Sequence, residues 1–246
     1  MISLAKHELY RLFVSPLAWV ILALTQLIVA YLFLSHIDYF LSIQSQLVTI
    51  PGAPGITDLI ASPLLNDTAL ILLLITPLIT MRLIAEERQQ STLPLLFSAP
   101  ISMTEIVLGK FFASFLFFLI ILAMISLMPL SLSLGSQLDT GQLAAGLLGL
   151  ILLVASFSAI GLYFSSLTRQ PIIAAISSFT SLFLLWLFSS NTADNSSALN
   201  WLGIPTHLSP LLQGNVNSSD IVYFLLLIAV SLILTTRRLN TMRLSS

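Results

Sequence analysis

The side chains able to do chemistry are few, and each is badly placed for the chemistry its type suggests. Glu86 and Glu87 are paired carboxylates followed at once by Arg88. Some membrane-embedded proteases use such a pair, but they carry an arginine four positions after the second glutamate, where this chain has Ser91. The three histidines, His7, His36 and His207, fall at span edges or in connections. A buried zinc site or a Ser–His pair therefore has nothing to build from. There is no cysteine, which excludes disulfides, thiolate metal sites and cysteine nucleophiles. No glycine-rich phosphate loop occurs, so the chain has no ATPase site of its own and no cofactor is expected on it.

The polar residues inside the apolar stretches are Thr25, Gln26, Thr76, Ser156, Ser158, Ser177, Ser178, Thr180 and Ser181. Gln26, Thr76 and Ser177 can line a weakly polar substrate path. Alternatively, such small hydroxyl residues let helices pack closely and bond across their interfaces. Gln26, an amide in hydrocarbon, needs a partner in either case. Ion-coupled carriers and proton pumps place a carboxylate, lysine or histidine at mid-bilayer, and these stretches have none.

The elements that must hold these residues follow from composition. The 246 residues are 57% hydrophobic and 8% charged, with mean hydropathy +1.02, whereas soluble chains carry roughly 25% charged residues. A spanning helix needs about 20 mostly apolar residues. Runs close to that length lie at about 17–37, 68–84, 111–134, 143–167, 171–188 and 221–236. The fold class is therefore all-α, a polytopic membrane protein with six transmembrane helices forming a single domain over 1–246. Pro77 and Pro129 fall inside spans and are expected to kink them.

The nine basic residues fix one orientation. Lys6 and Arg11 precede the first span, and Arg82, Arg88 and Lys110 lie between the second and third. Arg169 lies between the fourth and fifth, and Arg237, Arg238 and Arg243 follow the last. All share one side, which puts both termini in the cytoplasm. Asp38, Asp58, Asp67, Asp139, Asp194 and Asp220 fall on the other side. The outer connections near 38–67 and 189–219 are rich in Ser, Asn, Gly and Pro, as turns require. The sequons at Asn66, Asn195 and Asn217 mark either glycosylation or chance in such loops.

Two further segments are expected at the cytoplasmic face. Over 2–15, Ala5, Leu9, Leu12 and Phe13 make one apolar face with Lys6, His7, Glu8 and Arg11 around it, an amphipathic interfacial helix ending at Pro16. Over 86–101, Leu93, Leu95, Leu96 and Phe97 form an apolar patch, Ser91 or Thr92 can cap a short helix, and Pro100 ends it. Ser102 and Glu105 then form a capping box for the next helix. An exposed Leu-Leu-Phe patch invites a partner surface or dips into the lipid interface.

These segments carry a resemblance to a known family. The N-terminal KHELYRLFVSPLAW, the central MRLIAEER with STLPLLFSAPIS and TEIVLGK after it, and the closing LTTRRL resemble type-2 ABC exporter permeases. The likeness covers essentially the whole chain and points to the subgroup of gliding-motility permeases and those assisting nitrous oxide reductase maturation. It implies a permease subunit in the bacterial cytoplasmic (inner) membrane, working by alternating access with two copies of an ABC ATPase subunit that binds the ATP. It also implies a second permease protomer, identical or related. By position the coupling helix, which sits in a cleft of the ATPase, falls on 91–98, so that Glu86, Glu87, Ser91, Thr92, Leu93, Leu95, Leu96 and Phe97 form the coupling interface. Leu9, Leu12 and Phe13 belong to the interfacial helix. The family usually has Gly-Thr where Ser91-Thr92 stand, and often an acidic residue at Pro94. Its gliding-motility members suggest an alternative, a membrane anchor or motor element that passes ATP energy to a periplasmic protein. Lipid is the remaining partner, and no nucleic-acid partner is expected.

Overall fold

The computed structural model describes residues 2–47, 55–91, 102–134, 138–188 and 201–244, and among them there is no strand. The helices are α1 (Ile2–Val14), α2 (Pro16–Leu47), α3 (Ser62–Thr80), α4 (Arg82–Gln89), α5 (Met103–Ser131), α6 (Thr140–Leu167), α7 (Pro171–Leu187), α8 (Ile204–Leu212) and α9 (Ser218–Leu244). A π-helical turn, Thr57–Ala61, leads directly into α3. Among the described residues five stretches are long and apolar enough to cross a membrane: Pro16–Gln44, Thr57–Gln89, Met103–Ser131, Thr140–Leu167 and Ser218–Arg243. The sixth apolar helix, α7, has 17 residues and rises about 26 Å. The protein is a polytopic, all-helical membrane protein.

The helices alternate in direction, which sorts their ends into two sets. One end of the bundle, here the basic end, gathers α1, α4, the start of α5 and the last turns of α6 and α9. The other, the aspartate end, gathers the π turn, the start of α6, α8 and the start of α9. α6 is the hub, in contact with α3, α5, α7, α8 and α9, and most of its residues from Leu150 to Leu162 are buried. Its run of Gly, Ala and Ser suits close approach, because helices in lipid associate through packing rather than a hydrophobic drive. One apolar core fills the bundle around Leu72, Phe117, Phe118, Leu153 and Phe157. A second, smaller core of Leu83, Ile84, Met103, Ile106, Leu162 and Leu239 lies at the basic end. α2 and α9 each leave a broad apolar face uncovered, among them Trp19, Leu27, Tyr31, Leu225 and Ile233, as lipid-facing helices do.

Three expectations change. The outer connections are not plain loops: α2 runs on to Leu47, the π turn and α3 begin at Thr57, and 204–212 form α8. α8 is helical despite Pro205 and Pro210 because Ile204, Leu208, Leu211 and Leu212 are buried in the main core, and Pro205 stands in the first turn, where its missing N–H costs little. His207 is accordingly a buried residue rather than a loop residue. Finally, Pro77 lies within α3, and the interruption comes later, at Met81.

Candidate coupling site at the basic end

α1 turns Ala5 and Glu8 fully inward, while Leu9, Leu12 and Phe13 pack against the main core. The Phe13 ring sits 5.5 Å from that of Phe117. The apolar face of the amphipathic helix is thus taken up by the protein, and Tyr10 and Val14 are its large apolar side chains left exposed. α1 lies very close to α5 because Gly109 has no side chain: a Cβ there would fall 2.7 Å from Leu4 Cδ2.

That approach places Glu8 beside the residue after Gly109. Lys110 is 1% exposed, and its Nζ donates to Glu8 Oε1 at 2.8 Å and to Glu87 Oε1 at 2.6 Å. Both carboxylates are themselves buried. Arg11 lies further out, half-exposed, with Nη2 3.8 Å from Glu86 Oε1 and Nη1 3.9 Å from Glu87 Oε1, contacts that are weak at a surface. Glu8, Lys110 and Glu87 therefore form a buried ionic triad joining α1, α5 and α4. A lysine removed from water needs such partners, since an isolated buried charge costs several kcal/mol or more.

The opposite side of α4 is held by the end of α6. In an unbroken helix the Ala85 N–H would bond to the Met81 carbonyl. Here Ser165 Oγ stands between them: it accepts from Ala85 N at 3.0 Å and Ile84 N at 3.1 Å, and donates to Met81 O at 2.9 Å. One hydroxyl, with one proton and two lone pairs, is fully used. A side chain inserted into the ladder is a recognised cause of a helix break, and it explains why α3 and α4 separate at Met81. Gly161 makes the approach possible, since a Cβ there would overlap Thr80 Oγ1 and come within 2.7 Å of Thr80 Cβ. One turn on, Arg88 Nη1 donates to Ser166 O at 2.8 Å and Thr168 O at 3.3 Å, satisfying carbonyls left open at the end of α6.

α4 is thus clamped on both flanks and ends abruptly. Ser91 has φ 56°, a left-handed conformation that closes a helix and that an L-residue adopts at a cost. On the far side of 92–101, Ser102 caps α5. Its Oγ accepts from Glu105 N at 3.2 Å while Glu105 Oε2 accepts from Ser102 N at 3.1 Å, the expected capping box.

Of the residues singled out by the sequence, Glu86 and Glu87 lie at this clamp. They face Arg11 and Lys110. Ser91 ends α4, and Thr92, Leu93, Leu95, Leu96 and Phe97 lie outside the described residues. The three path residues, Gln26, Thr76 and Ser177, stand on α2, α3 and α7. Thr76 is buried with its hydroxyl donating to Leu72 O at 2.7 Å. Ser177 donates to Ile173 O at 2.8 Å in its own helix, and Gln26 Nε2 finds Ile121 O at a long 3.4 Å. Glu8, Lys110 and Ser165 were not anticipated as a unit. The available signals were a Gly-Lys pair about two turns inside a capped helix and a Ser-Ser pair closing an apolar one. Among the described residues no group of three or more His, Asp or Glu side chains is placed to hold a metal ion.

Compared with known proteins, residues 2–244 match the model of a family described as ABC-2 family transporter protein. No curated protein matches the chain.

Proposed function

Because this chain belongs to the ABC-2 family of transporter proteins, we propose that it is the membrane-spanning permease subunit of an ATP-driven exporter, working by alternating access under the drive of a separate ATPase. Two ATPase copies would sit beneath two permease protomers, the second identical or related, in the cytoplasmic membrane of a bacterium. The basic end and both termini then face the cytoplasm, and 91–98 docks in the ATPase.

The clamped helix α4 is the observation that supports this reading. The segment proposed to receive the push begins directly at its end. A displacement there moves α4, and the Glu8–Lys110–Glu87 triad carries α1 and α5 with it as one body. The compliant point is the ladder break at Met81, where Ser165 supplies hydrogen bonds that let α4 change angle against α3 without stranding a backbone group. ATPase closure is thereby converted into tilt of the spans rather than into unwinding.

The test is co-purification of the co-expressed ATPase with wild type and with Leu95→Ala/Leu96→Ala. Fully burying one leucine is worth roughly 1.5–3 kcal/mol, so association should weaken at least about tenfold. Expression should be unchanged, because neither residue lies in a span. Undiminished binding would remove the docking role and favour lipid contact for the Leu-Leu-Phe patch. The purified chain alone should hydrolyse no ATP.

A further inference from the structure

At the aspartate end, opposite the clamp, His207 of α8 meets Asp220 of α9 with both side chains buried: His207 is 4% exposed and Asp220 4%. Nδ1 lies 2.7 Å from Asp220 Oδ1 and Nε2 lies 2.9 Å from the Trp201 carbonyl. A carbonyl oxygen only accepts, so Nε2 must carry a hydrogen. A carboxylate also only accepts, so the short contact at Nδ1 needs a second hydrogen. This geometry therefore contains one proton more than a neutral imidazole beside a carboxylate, whether that proton rests on Nδ1 or on Asp220. Two further observations agree with the same proton. Asp220 Oδ2 is buried with no hydrogen-bond partner among the described residues, so a carboxylate there facing a neutral ring would be an uncompensated buried charge. In addition, the Tyr223 ring stacks on the imidazole at 4.1 Å and 23°, with Trp201 edge-on at 5.7 Å, an aromatic surround that suits a cation.

We propose that His207 and Asp220 form a proton-binding site that latches α8 to α9. With the proton present, the pair ties the middle of α8 to the first turn of the last span, while Ser62 Oγ holds the Leu212 carbonyl at the other end of α8 at 2.8 Å. When the proton leaves, two acceptors face each other across the 2.7 Å contact and the latch opens. Few other groups among the described residues bear on the pair. From α9 it is faced by Tyr223. α7 carries no titratable side chain. On the α3 and α6 side, Ser62 and the uncharged Gln142 contact Leu212 O, and Asp58 lies behind Gln142 at 2.8 Å from its Nε2. The latch depends neither on transport nor on which end faces the cytoplasm.

The chain has no cysteine, so a single Leu208→Cys, one residue from His207 and buried in the core, reports opening of α8. The full-length protein in lipid nanodiscs is treated with a water-soluble maleimide as pH rises from about 5 to about 10, a range bracketing ordinary histidine titration. The same cysteine in an Asp220→Asn background is the reference, because the Asn amide can donate to a neutral Nδ1 and close the latch without the proton. It also cancels the pH dependence of thiol reactivity itself. Labelling relative to that reference should rise at least about tenfold across the range, the scale of losing one buried charge-assisted hydrogen bond. A flat ratio would overturn the proposal. If the cysteine variant fails to fold, nitrogen-15 and carbon-13 spectra of histidine- and aspartate-labelled wild type decide. Two protonated ring nitrogens, or a neutral ring with protonated Asp220, is the expected result, and a neutral ring beside an ionised Asp220 would refute it.

Discussion

Replacing Lys110 by methionine removes the charge of the triad while keeping an unbranched apolar stem of similar reach. Glu8 and Glu87, which share Nζ at 2.8 and 2.6 Å, are then buried near each other, with Arg11 at 3.9 Å from Glu87. Removing one partner of a buried ion pair costs about 3–5 kcal/mol. Because half-exposed Arg11 can swing in, the lower value of about 3 kcal/mol is expected, which is about two decades in the equilibrium for releasing α1. Ala5, on the inward face of α1, is the place to read it: Ala5→Cys should react with maleimide about 100-fold faster in the Lys110→Met background. The stronger test adds Glu8→Gln and Glu87→Gln. A neutral set leaves no stranded charge, so docking of α1 should return to within about 1–2 kcal/mol of wild type. If Lys110→Met leaves the protection of the Ala5→Cys thiol unchanged, the triad is refuted as the tie between α1 and α4. A triple variant as open as the single one would show that packing, not charge, had been lost.

Four further outcomes are expected. Ser165→Ala lets the Ala85 N–H close on the Met81 carbonyl, so stability should change by less than about 1.5 kcal/mol while ATPase stimulation in the reconstituted complex falls, because α3 and α4 then form one stiffer rod. Gly161→Ala should destabilise the chain by about 1–3 kcal/mol through overpacking on Thr80, read as a shift in thermal unfolding in detergent. Thr80→Ala should relieve that cost only in part, since Thr80 Cβ also lies within 2.7 Å. Ser91→Gly should stabilise the end of α4 by about 1 kcal/mol by removing the left-handed penalty, visible as slower hydrogen exchange at Gln89 and Gln90. In intact cells, impermeant maleimide should label Asn195→Cys and leave Arg88→Cys unlabelled, and the reverse would invert the bundle.

Much of the fold was legible because its signals are local. Apolar runs mark helices wherever they occur, and the capping box needs only Ser102 and Glu105, three residues apart. The site was less legible because its contacts are distant in the chain. Lys110 counts as one more cytoplasmic cation until Gly109 brings α1 against it, and its partner Glu8 lies 102 residues away. The break after α3 invited attribution to Pro77, the local helix breaker, yet its cause is a hydroxyl more than 80 residues further on. α8 was hidden for a related reason: two prolines and a polar neighbourhood spell a loop, and only burial against α6 makes the segment a helix.

The shortness of α7 matters to the surrounding membrane. Its 17 residues reach about 26 Å, less than a hydrocarbon layer of about 30 Å, while α2 and α9 beside the same bilayer are far longer. A short span on one flank draws the leaflets together around it, at a fraction of a kcal/mol per ångström of mismatch, and the long helices accommodate by leaning. A bilayer meeting that flank would be thinnest along α7, so the lipid around the protein would be of uneven thickness.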